Sequence, residues 1–340
     1  MPHAHLSFSI FIFISSFALA LGLTSLVKRI LLEHTVLDVP NNRSSHKIPL
    51  PRGGGLALLA IIIPTLIGAA FVIDDNMRHA WLIAAVFLLA IVSWLDDCGH
   101  VSIRVRLGTH IIAAFLGSLS FTPQEMLWGG AIPFWLDRAS MILGWVWFVN
   151  LYNFMDGIDG ITGTETITIT TGVYLVMLLT GVNDQFAEST TLILAGVCLG
   201  FLFHNWHPAK IFLGDVGSIP LGYLSGFCLL SLAVTRQGGG GNLASAIILP
   251  LYYLADSGIT IAKRALHHEK IWQAHREHFY QRAALAAGRH DQVVIWVAIA
   301  NLGLIVASLG SIFFPWEGLG LGVLIVAALL RKLQKYAFIK

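Results

Sequence analysis

The sequence predicts an all-α polytopic membrane protein of about eleven transmembrane helices, with the N-terminus outside and the C-terminus cytoplasmic. Three observations carry that prediction. The chain is 56% hydrophobic and only 12% charged, whereas a soluble domain carries about 25% charged residues. Its apolar residues fall in runs long enough to cross ~30 Å of hydrocarbon at 1.5 Å per residue. Finally, 18 of the 21 Lys and Arg residues lie on one side of the resulting topology, the cytoplasmic side by the positive-inside rule.

The runs lie at roughly 7–27, 54–73, 80–96, 105–121, 139–155, 164–181, 188–204, 217–234, 243–262, 292–311 and 317–333. The first has no Lys or Arg before it, and Lys28 and Arg29 follow it. That reverses the flank of a signal peptide, so the run reads as an uncleaved anchor, with Ala18-Leu19-Ala20 as the contrary feature. The fourth and fifth runs flank a stretch rich in Pro, Gly and Trp. Trp128, Trp135 and Trp316 suit the headgroup level. Arg78, Arg138 and Arg236 are the basic residues left outside, one per outer loop. Cys98, Cys198 and Cys228 fall on inner-face or buried positions and imply no disulfide framework. Cys98, beside an aspartate pair, reads as a bystander thiol.

The loops are unequal. The outer connections DDNMRH, GVNDQFAES, TRQGGGGN and FFPWEG are plain, and Gly238–Gly241 reads as a flexible turn. The inner loops 28–53, 96–106, 153–163, 204–218 and 263–291 carry dense motifs. They are expected to form the catalytic face of one integral membrane domain spanning 1–340. Asp96, Asp97, Asp156, Asp159 and Asp215 all map to this face, each at or just beyond the end of an apolar run. Carboxylates gathered at one water–lipid boundary suit a divalent metal and phosphates.

The first inner loop combines Asp38, Asn41, Asn42, Arg43, Ser44, Ser45, His46 and Lys47 with Pro49, Pro51, Arg52 and glycines 53–55. Glycines at a helix start suggest close backbone approach and free N–H groups for an anion. Asp96 and Asp97 are adjacent on a helix, so one can face a ligand while a neighbour such as Arg104 or Arg106 holds the other. Asn153, Asp156 and Asp159 recur at intervals of three, which on a helix lines one face. Asp215 sits in FLGDVGS, where Phe212 suits stacking on a base and the glycines suit access. His204 and His207, with Asp215, allow a zinc reading, but the wider cluster is all oxygen and favours Mg²⁺, with Mn²⁺ as the alternative. In the last inner loop, His275-Arg276-Glu277-His278 mixes imidazoles with a phosphate-binding guanidinium. A basic amphipathic surface segment is the plainer reading of that loop.

Two anions brought together at ~4 Å repel by several kcal/mol, and a divalent cation offsets this. The order of PRGGG, the LDD end of the third run, NFMDGIDG, FLGDVGS and a late His-rich loop resembles the polyprenyl-phosphate N-acetylhexosamine-1-phosphate transferase family (MraY/WecA-like). The HREHFYQR form of the last loop is most similar to the O-antigen-initiating, WbpL-like branch. The resemblance implies transfer of an N-acetylhexosamine 1-phosphate from a UDP-sugar to undecaprenyl phosphate with release of UMP. It would start O-antigen or another cell-envelope polysaccharide, in a bacterial inner membrane. It further implies Asp215 and Asn153 at Mg²⁺, Asp97 as base or positioning group for the lipid phosphate, and Asp96 in support. Asp156 and Asp159 would line the nucleotide and metal side. Phe212 would stack on uracil, and Arg106, His275, Arg276 and His278 would hold phosphates. Arg106 stands where the family often has Lys. Asp256, inside the ninth run, is expected to be structural. The bilayer is a partner, nucleic acid is not, and a homodimer is left open. The rival readings are a secondary transporter, which would place its ionisable groups mid-bilayer and show repeats, a membrane glycosyltransferase with its acidic site outside, and a non-catalytic lipid-phosphate scaffold.

Overall fold

The computed structural model describes residues 2–38, 49–73, 78–99, 101–234, 242–270 and 275–338, with residues 2–7 and 338 described by backbone alone. The loop residues Asn41 to Lys47, Arg236 and the Gly238–Gly241 run lie outside the described residues. The elements are α1 (Pro2–Glu33), β1 (Leu37–Asp38), β2 (Leu50–Pro51), α2 (Gly55–Ile73), α3 (Ala80–Cys98), α4 (Ile103–Ser118), α5 (Phe134–Phe154), α6 (Ile161–Thr180), α7 (Gln185–Asn205), α8 (Asp215–Ala233), α9 (Leu243–Ile248), α10 (Leu251–Leu266), α11 (Phe279–Ala287), α12 (His290–Gly310) and α13 (Pro315–Phe338).

Every predicted run coincides with helix, and the ninth is split. It breaks into α9 and α10 at Leu249 and Pro250, because proline has no N–H to give and its ring crowds the preceding turn. Among the described residues, seven helices are long and apolar enough to cross a membrane: α1, α2, α3, α6, α7, α8 and α12. The others fall short of that measure.

α8 is the axis of the fold. Of its most apolar window, 94% is buried, and α2, α3, α5, α6 and α7 all pack on it. On its α5 side, Trp145 stacks on Tyr223 with ring centroids 4.6 Å apart and donates Nε1–H to the Tyr223 carbonyl at 2.9 Å. α1 lies along α7, where Gly196 and Gly200 are one turn apart. A Cβ on Gly196 would sit 2.6 Å from the Phe13 carbonyl, and one on Gly200 would sit 2.6 Å from that of Phe17. Helices in lipid gain little from the hydrophobic effect and rely on such close backbone packing. The rim is apolar: Phe11, Phe71, Val72, Leu143, Leu178 and Phe313 are exposed, as a lipid-facing surface requires.

Candidate active site

The first glycine-rich motif and the FLGD motif meet backbone to backbone. Arg52 forms a parallel bridge with Phe212. Gly53 and Gly54 donate N–H to the Phe212 carbonyl at 3.3 and 2.8 Å, and Gly55 donates to Leu213 at 2.9 Å. A Cβ on Gly55 would lie 2.2 Å from the Gly217 Cα. The expected free N–H groups for an anion are therefore not there. The glycine triplet serves instead to press the start of α2 against the start of α8.

That contact places Arg52 between two carboxylates. Its Nε lies 2.8 Å from Asp97 Oδ1, and its NH2 lies 3.0 Å from Asp215 Oδ1. Asp97 also accepts the N–H groups of Asp215 and Val216 at 3.0 and 2.9 Å. It thus caps α8, whose own cap residue Gly214, at φ +76°, offers no side chain. An anion at a helix N-terminus is favourably placed. The Asp97 side chain is 0% exposed and that of Asp215 15%, so Asp97 is the interior member of the pair and Asp215 the accessible one. Asp96 accepts from Val101 N at 2.9 Å and Arg106 NH1 at 2.8 Å, and Arg106 NH1 is also 3.8 Å from Asp215. The adjacent aspartates take different arginines, Asp97 with Arg52 and Asp96 with Arg106 rather than Arg104, and both flank Asp215.

Asn153, Asp156 and Asp159 do not share a helix face. α5 ends at Phe154, α6 begins at Ile161, and Gly160 at φ +78° turns the chain between them. Each side chain goes its own way. Asn153 Oδ1 accepts from Ser218 on α8 at 2.6 Å. Asp156 Oδ1 accepts from Thr162 at 2.6 Å. Burial, with the like charge of Asp215 added and the Thr162 bond opposing, pushes the Asp156 carboxyl up to about 7.

Asp159 lies with histidines. Its Oδ2 is 2.7 Å from His207 Nδ1 and 3.2 Å from His290 Nδ1, and it accepts Ala209 N at 3.2 Å. Burial raises its pKa, but hydrogen bonding and charge from His290, together with His207, outweigh that and lower it overall. Donor atoms of all three residues lie within 4.8 Å of one another. In the structure the 2.7 Å contact between Asp159 and His207 is a hydrogen bond, and the group clasps three chain segments together. His204 lies apart from it, against the Leu21 carbonyl at 3.0 Å, so the pairing of His204 and His207 with Asp215 does not form.

The late loop docks on this turn. Tyr280 donates its hydroxyl to the Phe154 carbonyl at 3.1 Å, and a Cβ on Gly157 would lie 2.3 Å from the Tyr280 oxygen. His275 and His278 stack with centroids 4.9 Å apart. Burial, then the neighbouring His278 and Arg264, push the His275 imidazole down to about 4, so it is neutral at pH 7. Arg276 is partly buried beside them, and Phe212 is partly buried at the bridge to Arg52.

His290 was not singled out from sequence; Arg52 was read only as one basic residue of the first inner loop, His207 only as a zinc partner of His204 and Asp215, and Asp256 as structural. Together, Asp96, Asp97, Asp156 and Asp215 surround Arg52 and Arg106, with an excess of acid over base. The carboxylate oxygens are hard donors, and the Asp156 carboxyl is raised first by burial and then by the like charge of Asp215.

The family model described as glycosyl transferase family 4 matches residues 79–233, the stretch that carries α3 to α8 and three of the motifs. The chain is 28% identical to the probable undecaprenyl-phosphate N-acetylglucosaminyl 1-phosphate transferase of Bacillus subtilis (strain 168), over 95% of this chain and 89% of that one. It is 27% identical to the decaprenyl-phosphate N-acetylglucosaminephosphotransferase of Mycobacterium tuberculosis (strain ATCC 25618 / H37Rv), over 85% and 79% of the two chains. It is 28% identical to the phospho-N-acetylmuramoyl-pentapeptide-transferase of Acetivibrio thermocellus, over 75% and 78%.

Proposed function

The chain belongs to the polyprenyl-phosphate N-acetylhexosamine-1-phosphate transferase family, and on that premise we propose that it transfers an N-acetylhexosamine 1-phosphate from a UDP-sugar to undecaprenyl phosphate, releasing UMP. The reaction starts a lipid-linked O-antigen or another cell-envelope polysaccharide. The working orientation has eleven spans, the N-terminus outside, and the site at the cytoplasmic face of a bacterial inner membrane.

The observation that carries this reading is the single cluster in which Arg52 joins Asp97 to Asp215 while Arg106 joins Asp96 to Asp215. Three motifs distant in sequence meet there, and excess carboxylate beside two guanidiniums suits a divalent cation with a polyphosphate. Asp215, the accessible carboxylate, and Asp156 would hold Mg²⁺ (or Mn²⁺), with Asn153 alongside. Bound there, the ion would neutralise the diphosphate and the departing UMP. Asp97 acts by position: its carboxylate is occupied by Arg52 and by two N–H groups of α8. A strong base is not required, because a phosphate monoester with a second pKa near ~6 is largely ionised at neutral pH. Arg106, His275, Arg276 and His278 receive phosphate oxygens, Phe212 receives uracil, and Asp159 steadies the nucleotide turn through its histidine clasp.

The test is conversion of radiolabelled UDP-N-acetylglucosamine by purified protein with undecaprenyl phosphate and Mg²⁺. Lipid-linked label and UMP are expected, and both are lost in Asp215→Ala. A panel of UDP-N-acetylhexosamines, including the 6-deoxy sugars FucNAc and QuiNAc, then fixes the donor. Uptake of substrate with no UMP formed would return the transporter reading.

A further inference from the structure

Asp256 on α10 is a fully buried carboxylate to which the transfer reading gives no task. Its Oδ1 accepts from Phe279 N at 3.1 Å and Thr260 Oγ1 at 3.4 Å, and its Oδ2 accepts from Tyr280 N at 3.2 Å and Tyr252 hydroxyl at 3.4 Å. Phe279 and Tyr280 are the first two residues of α11, which has no side-chain cap of its own. So far this is a cap supplied by another helix. A fifth contact goes beyond capping: His278 Nδ1 lies 3.1 Å from Asp256 Oδ1. That bond fixes Nδ1 as the donor and leaves Nε2 as the ring's other polar atom. The oriented ring stacks on His275, and Tyr280, the second residue of α11, bonds to the end of α5 beside Asp156 and Gly157.

We infer that Asp256 is a positioning residue for the transfer that acts through His278: from its place at the start of α11, its carboxylate sets the tautomer and plane of that ring. The inference rests on the transfer reading, and it assigns to the ninth run a role that the sequence alone leaves structural. Asp256→Asn keeps the shape but turns a donor toward at least one of the N–H groups the carboxylate accepts.

The experiment uses the purified full chain, UDP-N-acetylglucosamine, undecaprenyl phosphate and Mg²⁺. For Asp256→Asn, kcat should fall about 10- to 100-fold while KM for the UDP-sugar stays within about two-fold. The double variant with His278→Ala should turn over no more slowly than His278→Ala alone, because one residue acts through the other. Full turnover in Asp256→Asn, or effects that multiply in the double variant, overturns the inference. Should Asp256→Asn not purify as a folded protein, Thr260→Val removes a donor from the same oxygen. A drop of about two- to five-fold in kcat supports the inference and wild-type turnover overturns it. A wild type that releases no UMP overturns the transfer reading instead. Nitrogen NMR of labelled histidine then tests the tautomer by itself: His278 should carry its proton on Nδ1 in wild type and lose that preference in Asp256→Asn, and an unchanged tautomer overturns the inference.

Discussion

Arg52 bridges two carboxylates with two different nitrogens, a geometry that a lysine's single ammonium does not reproduce. Arg52→Lys should lower kcat on the order of 10- to 100-fold, measured as UMP release, while the protein still purifies from detergent. Asp156 gives a pH dependence with a definite sign. Burial holds its carboxyl at about 7, above the ordinary carboxylate range, so the native state binds more protons than the unfolded chain between that range and about 7. Without divalent cations, its contribution to stability is present at low pH and is lost as pH rises through about 7. Melting curves should fall from pH 5.5 to pH 8, and Mg²⁺ should restore more at pH 8, where the carboxylate it would bind is already ionised. At this scale the sequence listed five aspartates, of which the structure brings Asp96, Asp97, Asp156 and Asp215 together around Arg52 and Arg106. It did not show their partners, because Asp159 meets His207 and His290 only through segments distant in the chain.

Among the helices, the instructive position is Gly55. The glycine triplet was legible as a place of close approach, but the surface it approaches was not, since nothing in PRGGG names Gly217. Gly55→Ala would put a Cβ 2.2 Å from the Gly217 Cα and force α2 away from α8. Overpacking of this kind costs about 1–3 kcal/mol. The thermal midpoint should drop, and turnover should drop with it, because the same contact aligns Arg52 with Asp97. An unchanged midpoint with full activity would show that α8 yields easily. Spacing misled at NFMDGIDG for the same kind of reason. An interval of three lines up side chains only where helix continues, and α5 stops at Phe154, before Asp156 and Asp159.

Across the whole molecule, hydropathy located the seven helices among the described residues that are long and apolar enough to cross a membrane. The arrangement of helices around α8 was not legible, since it rests on small-residue contacts such as those of Gly222 against Tyr152 and Gly226 against Trp145. The proposed orientation has a built-in reporter. Cys98 is exposed next to Asp97, while Cys198 and Cys228 are buried. A membrane-impermeant maleimide should label the unaltered protein in inside-out vesicles and spare it in right-side-out ones. The reverse pattern would place the aspartates outside and remove the cytosolic nucleotide from reach.

The double duty of Asp97 has a pharmacological corollary. The carboxylate that grips Arg52 beside Asp215 is also the one that closes the first turn of the central helix. A drug anchored on that corner would leave a resistant strain little room to mutate, because a change that evades the compound also loosens the helix on which the rest of the protein is assembled.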